Sequence, residues 1–229
     1  MGQSIFRYVV VCITIALFVF PVSVGVSVTT KNAPQNNYTD PENPVLLPRF
    51  KTTAMVPMRD GIRLATDVYR PIFRSSPHGA ILIRTPYNKD AITIVGILGI
   101  LRGWPIVIQD MRGQGDSEGI DTGFKNDSTD GADTLAWIVN QSWSNGKVVT
   151  YGLSALGIVQ YCLAGANPSN LTCQYVQVAT PNLYTHGVYQ GGEFRKNLVE
   201  DWLSDQESDY LLEEIKVTGC SLLIIHLKG

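Results

Sequence analysis

The stretch Val148-Val149-Thr150-Tyr151-Gly152-Leu153-Ser154-Ala155-Leu156-Gly157 sets a serine between glycines, after a β-branched run and before an apolar one. A serine hydroxyl becomes a nucleophile when a sharp strand-to-helix turn projects its Oγ and a base lies within hydrogen-bond reach. The turn is too tight for side chains beside the serine, which is why glycines flank it. The usual spacing is Gly-x-Ser-x-Gly. Here Leu156 stands where the second glycine belongs, and Gly157 comes one place later. Three histidines are available as bases: His78, His186 and His226. There is no CxxC, no HExxH and no His/Cys cluster, so neither a metal site nor a cofactor is expected.

A strand must enter such a turn and a helix must leave it. Lys147 to Tyr151 reads as that strand and Ser154 to Ala164 as that helix. Upstream, Asp60-Gly61 is a tight-turn dipeptide, and Ile62, Leu64, Thr66 and Val68 alternate after it, which predicts a hairpin. Ala80 to Ile83 and Trp104 to Ile108 are short apolar runs suited to buried strands. Between them Ala91 to Arg102 reads as a helix. Ser128-Thr129-Asp130 offers capping side chains to a second helix, with Ala132, Leu135, Ala136 and Val139 at helical spacing. Tyr175 to Ala179 predicts a fourth strand, and Glu193 to Lys216 an amphipathic helical stretch in two pieces.

Strands alternating with helices predict a parallel sheet covered on both faces. Ligands bind such sheets beyond the carboxyl ends of the strands. Three notable loops start there: Arg84-Thr85-Pro86-Tyr87, Asp110 to Gly119, and Gly152 to Gly157.

With 45% hydrophobic and 17% charged residues in 229, the chain is globular and sized for one domain, or at most two small ones. A formal net charge of −2 and the lack of a basic stripe give no reason to expect nucleic acid or an anionic membrane as partner. Arg7, the apolar run Tyr8 to Phe20, Pro21 and the small residues Ser23-Val24-Gly25 follow the order of a secretory signal peptide over residues 1–28. The apolar character persists to Val28, roughly the 20 residues that span a bilayer, so a retained signal anchor stays open. Both readings send the chain into the secretory pathway. Sequons at Asn37, Asn126, Asn140 and Asn170 agree with that address. Loss of Cys12 with a cleaved signal would leave Cys162, Cys173 and Cys220, an odd number. Residues 29–48 read as a polar, proline-bearing linker.

The wording "VPMRDGIRLATDVYRP", "RTPYNK", "VIQDMRGQGDSEG", "DTLAWIVNQSWSNGKVVTYGLSALG" and "VYQGGEFR" resembles the α/β-hydrolases of the X-Pro dipeptidyl-peptidase and cocaine esterase type, from about Phe50 to Arg195. That family writes its elbow Gly-x-Ser-x-x-Gly, so Gly157 is its expected form. The resemblance implies an α/β-hydrolase-like, mostly parallel sheet with helices on both faces. It also implies a serine hydrolase acting on ester or amide bonds, with a small ester, amide or proline-containing peptide as substrate. Carried over by position, Ser154 matches the nucleophile, Ala155 the backbone N–H donor to the oxyanion, and Tyr87 the hydroxyl donor. Such donors contribute about 3 kcal/mol each to the transition state. Gly191 to Arg195 resembles the start of a helical cap over the site. Asp110 and Arg112 are expected to be structural, an ion-paired and glycine-turned loop beside the elbow.

In this family the acid and then the histidine follow the serine, after the cap. His186 falls where the resemblance gives no catalytic histidine, His226 lies in a tail without a match, and His78 precedes the serine. None of the three is expected to act as the base. Residues 49–229 are therefore expected to be a partial, truncated hydrolase domain, or else a non-catalytic secreted product that binds a partner.

Overall fold

The structure is a computed structural model describing residues 50–71 and 77–205. The signal segment, the linker, the Asn37 sequon, Cys12, Cys220 and His226 lie outside the described residues. The chain begins with a hairpin, β1 (Lys51–Pro57) and β2 (Arg63–Tyr69), turned at Asp60-Gly61 as expected. It continues through β3 (His78–Thr85), a short 3-10 turn (Lys89–Ile92), α1 (Thr93–Leu101) and β4 (Ile106–Asp110). Then come α2 (Asp127–Val139), β5 (Ser144–Leu153), α3 (Ala155–Gly165) and β6 (Leu171–Gln177). A π turn (Tyr184–Val188), the two-residue strands β7 (Tyr189–Gln190) and β8 (Glu193–Phe194), and α4 (Lys196–Asp205) follow.

Six strands form one sheet in the order β1-β2-β4-β3-β5-β6. The hairpin strand β2 runs antiparallel to β4, while β4, β3, β5 and β6 are mutually parallel. Alternation along the strands divides the core in two. Tyr69, Ile83, Ile106 and Ile108 face one side, where α1 contributes Val95. Val68, Leu82, Val107 and Val148 face the other, where α2 and α3 contribute Leu135, Ile138 and Leu163. Both faces are thus covered, as near-continuous apolar runs in central parallel strands require. The sheet is mostly parallel with helices on both faces, as the sequence resemblance implies.

After β3 the chain goes to β4 on one side; after β5 it goes to β6 on the other. The carboxyl ends of the adjacent strands β3 and β5 therefore flank the point where strand order reverses, the usual place for a ligand in such sheets. Tyr87 follows β3 and Ser154 follows β5.

Three local expectations are corrected. The fourth parallel strand starts at Leu171 rather than Tyr175 and stops at Gln177. Its first half, Leu-Thr-Cys-Gln, has no buried residue and exposes Thr172 and Cys173, so it lacks the apolar run that marks a buried strand. Helix α2 begins at Asp127, one residue before the expected caps, and its N-cap Asn126 makes no side-chain cap bond. Asp130 sits inside the helix and pairs with Arg112 instead. Glu193–Phe194 is a hairpin strand, not the start of a helix.

Candidate active site

Ser154 sits at the junction of β5 and α3 with φ 56° and ψ −126°. A non-glycine residue held there costs on the order of 1–3 kcal/mol, so its surroundings must enforce it. The Ser154 N–H donates to the Gln177 carbonyl at 3.0 Å, and its own carbonyl accepts from Gly157 N at 2.8 Å and Ile158 N at 3.0 Å. A Cβ on Gly157 would lie 2.7 Å from Ala179 Cβ and 3.2 Å from the Gln177 carbonyl oxygen. This is why the second glycine stands at position 157: that residue, not 156, meets the end of β6. Leu156 is free to be large because it is buried in the core, and it fills the space a side chain on Gly152 would need, 2.5 Å from such a Cβ.

Gln160 braces the turn from behind. It is buried, its Oε1 accepts from Thr150 Oγ1 at 2.7 Å, and its Nε2 donates to the Leu156 carbonyl at 3.0 Å. Sequence reasoning missed it; the signal is an isolated polar residue on an otherwise apolar helical stretch, six residues after the serine.

The half-buried Ser154 opens onto a cavity of about 630 Å³, which Ala155 also lines. Ala155 is the first residue of α3, so its N–H has no acceptor one turn back within the helix. Among the described residues Ser154 Oγ makes no hydrogen bond. Phe124, Ile158, Leu198 and Trp202 give the cavity apolar walls, and His186 and Arg195 give it two basic side chains.

Tyr87 is not among the lining residues, but it touches one. Its phenol oxygen accepts from Trp202 Nε1 at 3.2 Å. An indole N–H can only donate, so the tyrosine oxygen is the acceptor in this contact. Trp202 also stacks on Phe124, with centroids 5.6 Å apart and planes 11° from parallel. No local pattern announces a bond between residues 115 positions apart.

The histidines divide. His78 begins β3 opposite Ser144, so it lies at the amino ends of the strands, the far end of the sheet from Ser154. His186 is brought into the cavity with Ser154, a proximity not expected from sequence. Its Nδ1 lies 3.1 Å from Thr180 Oγ1, and no hydrogen bond joins it to Ser154.

The loop after β4 is structural, as expected. Asp110 is fully buried; it accepts from the backbone N–H groups of Lys89 at 2.5 Å and Asp116 at 3.1 Å, with Lys89 Nζ 3.5 Å away. Burial pushes its carboxyl above the usual carboxylate range. Arg112 forks onto Asp130 at 2.9 and 2.6 Å and reaches Asp60 at 2.7 Å. Beneath it the buried Arg84 pairs with Asp127 at 2.7 Å and donates to Gln109 at 2.8 Å. Among the described residues no group of His, Cys, Asp and Glu could hold a metal ion.

The family model of the X-Pro dipeptidyl-peptidases (S15 family) matches residues 60–215. The chain belongs to the S15 family. A cocaine esterase from Rhodococcus sp. (strain MB1 Bresler) is 37% identical over 147 residues, covering 62% of this chain and 25% of that protein. An α-amino acid ester hydrolase of known structure is 28% identical with a TM-score of 0.50, covering 54% of this chain and 24% of that one. A CocE/NonD family hydrolase from Staphylococcus aureus gives a TM-score of 0.60 at 23% identity, over 68% of this chain and 32% of that one, and supports the fold. The chain thus spans about a quarter of the length of the curated S15-like esterase it matches. The S15 match covers the elbow, the Asp110 loop, the cavity and α4, though not β1.

Proposed function

We propose that this chain is the nucleophile-bearing part of a secreted serine hydrolase that cleaves ester or amide bonds through an acyl-enzyme at Ser154. The observation that carries this reading is the Ser154 elbow, a strained serine held at the end of β5 with its side chain facing an apolar cavity. In the proposed reaction Ser154 Oγ adds to the substrate carbonyl while a base takes its proton. The Ala155 N–H and the Tyr87 hydroxyl hold the developing oxyanion, with Trp202 fixing the tyrosine. Collapse expels the alcohol or amine with that proton, and water then releases the acid by the same steps reversed. Residues Arg195 to Trp202 act as the start of a cap that encloses the substrate. The acid and histidine of the triad belong to sequence beyond the described residues, in keeping with the quarter-length match to the esterase. Membership in the S15 family and similarity to a cocaine esterase favour small esters and proline-containing peptides as the substrate classes to test.

The absence of a histidine bonded to Ser154 among the described residues favours a second reading, a non-catalytic secreted product that binds a partner. Both are tested by reading the transcript beyond the codons of the described residues and expressing the coding frame it contains. Turnover of an aryl ester or an Xaa-Pro anilide, reduced about a thousandfold or more by Ser154→Ala, supports the hydrolase. Turnover that survives Ser154→Ala would sink it. A frame that stops at Gly229 and yields no turnover establishes the second reading instead.

A further inference from the structure

The cavity beside Ser154 carries an electrostatic signature of its own. Among the described residues that line it the walls are apolar, the two ionisable residues, Arg195 and His186, are both basic, and there is no Asp or Glu. His186 is engaged with Thr180. Arg195 is different: among the side chains described, which exclude those of 203–205, no carboxylate lies within ion-pairing distance of its guanidinium. Arg59, Arg63, Arg84 and Arg112 each pair with an Asp or Glu. The backbone around Arg195 is fixed, since its N–H donates to the Val188 carbonyl at 2.9 Å and its carbonyl accepts from Val199 N at 3.1 Å. Its backbone is therefore fixed where the β7–β8 hairpin turns into α4, and its exposed side chain borders the cavity.

A planar guanidinium recognises carboxylates in a two-pronged fashion. A free ammonium in the same cavity would meet Arg195 as a like charge and find no acid among the described lining residues to pair with. We propose that Arg195 makes this cavity selective for molecules with an apolar body and a carboxylate, and against those carrying a free ammonium. For the hydrolase, on which this substrate assignment rests, the preferred substrates are then carboxylate-bearing apolar esters or amides rather than peptides with a free amino terminus.

The test is binding, which does not require turnover. Three probes sharing one apolar body, 4-phenylbutyrate, 4-phenylbutanamide and 4-phenylbutylammonium, are titrated calorimetrically into the full chain near neutral pH. The expected order is carboxylate, then amide, then ammonium, with carboxylate about tenfold or more tighter than amide. Arg195→Met should bring carboxylate and amide within about twofold while leaving amide affinity unchanged, which also reports that the cavity is intact. Lys196→Met should leave the order as it is. Equal binding of carboxylate and amide, tighter binding of the ammonium, no binding of any probe, or a preference that persists in Arg195→Met would each overturn the proposal. Loss of turnover dependence on Ser154 alongside an intact carboxylate preference would sink the hydrolase reading and leave this recognition standing.

Discussion

The loop after β4 and the elbow after β5 leave the same edge of one sheet and treat their polar groups in opposite ways. The first folds its charges onto one another: Asp110 onto Lys89, Arg112 onto Asp130 and Asp60, Glu118 onto Arg63. The second leaves Ser154 Oγ without a hydrogen bond and Arg195, which lines the same cavity, without a carboxylate among the described side chains. Charge density in the sequence points to the first loop, Asp110 to Gly119, yet saturation makes that loop a scaffold. Chemistry is available where a strained backbone presents groups that the fold itself has not satisfied.

Breaking the saturated side should have the largest effects. Burial, followed by the field of Asp127, pushes the Cys162 thiol up to about 12. At pH 8 its thiolate is scarce, on the order of one part in ten thousand, and alkylation should run about a thousandfold slower than for an ordinary thiol. Iodoacetamide with mass mapping should find the exposed Cys173 modified and Cys162 intact. Rapid modification of both would show that the α2–α3 face opens readily. Arg84→Met removes the cation from a pair whose two side chains are almost wholly buried and should destabilise by about 3–5 kcal/mol in urea unfolding. Gly157→Ala sets a methyl against Ala179 and Val176 and should cost about 1–3 kcal/mol by the same measure. It probes the seam between the two sides, because the shift it forces also displaces Ser154. The smallest effects belong to the open side. Ser154→Ala and Arg195→Met should each change stability by no more than about 0.5 kcal/mol. A loss of several kcal/mol in either would mean that those residues are structural too, and the contrast between the loops would disappear.

How much of this is legible in sequence depends on how far a feature reaches along the chain. The elbow is contiguous: a β-branched run, two glycines and an apolar helix carry its geometry within ten residues, down to the placement of Gly157. The hairpin at Asp60-Gly61 and the central strands are legible for the same reason, since turn chemistry and unbroken apolar runs are local signals. β6 is not, because the sequence of an edge strand with exposed Thr172 and Cys173 does not declare a buried run. Trp202 meeting Tyr87, Gln160 bracing the elbow and His186 entering the cavity all depend on how distant segments pack. Arg195 is visible in sequence as the end of a family-like phrase, but that no described carboxylate pairs with it is a fact of three dimensions.

The central claim is that the fold singles out Ser154, among the described serines, for attack, while no base is hydrogen-bonded to it among the described residues. The most direct measurement is peptide-resolved mass spectrometry of the 229-residue chain after fluorophosphonate treatment, with and without added imidazole as a substitute base. The expected result is little label without imidazole and, with it, label that rises with imidazole concentration, falls on the Ser154 peptide and vanishes in Ser154→Ala. Label spread over other serines, or none at Ser154 at any imidazole concentration, would contradict it.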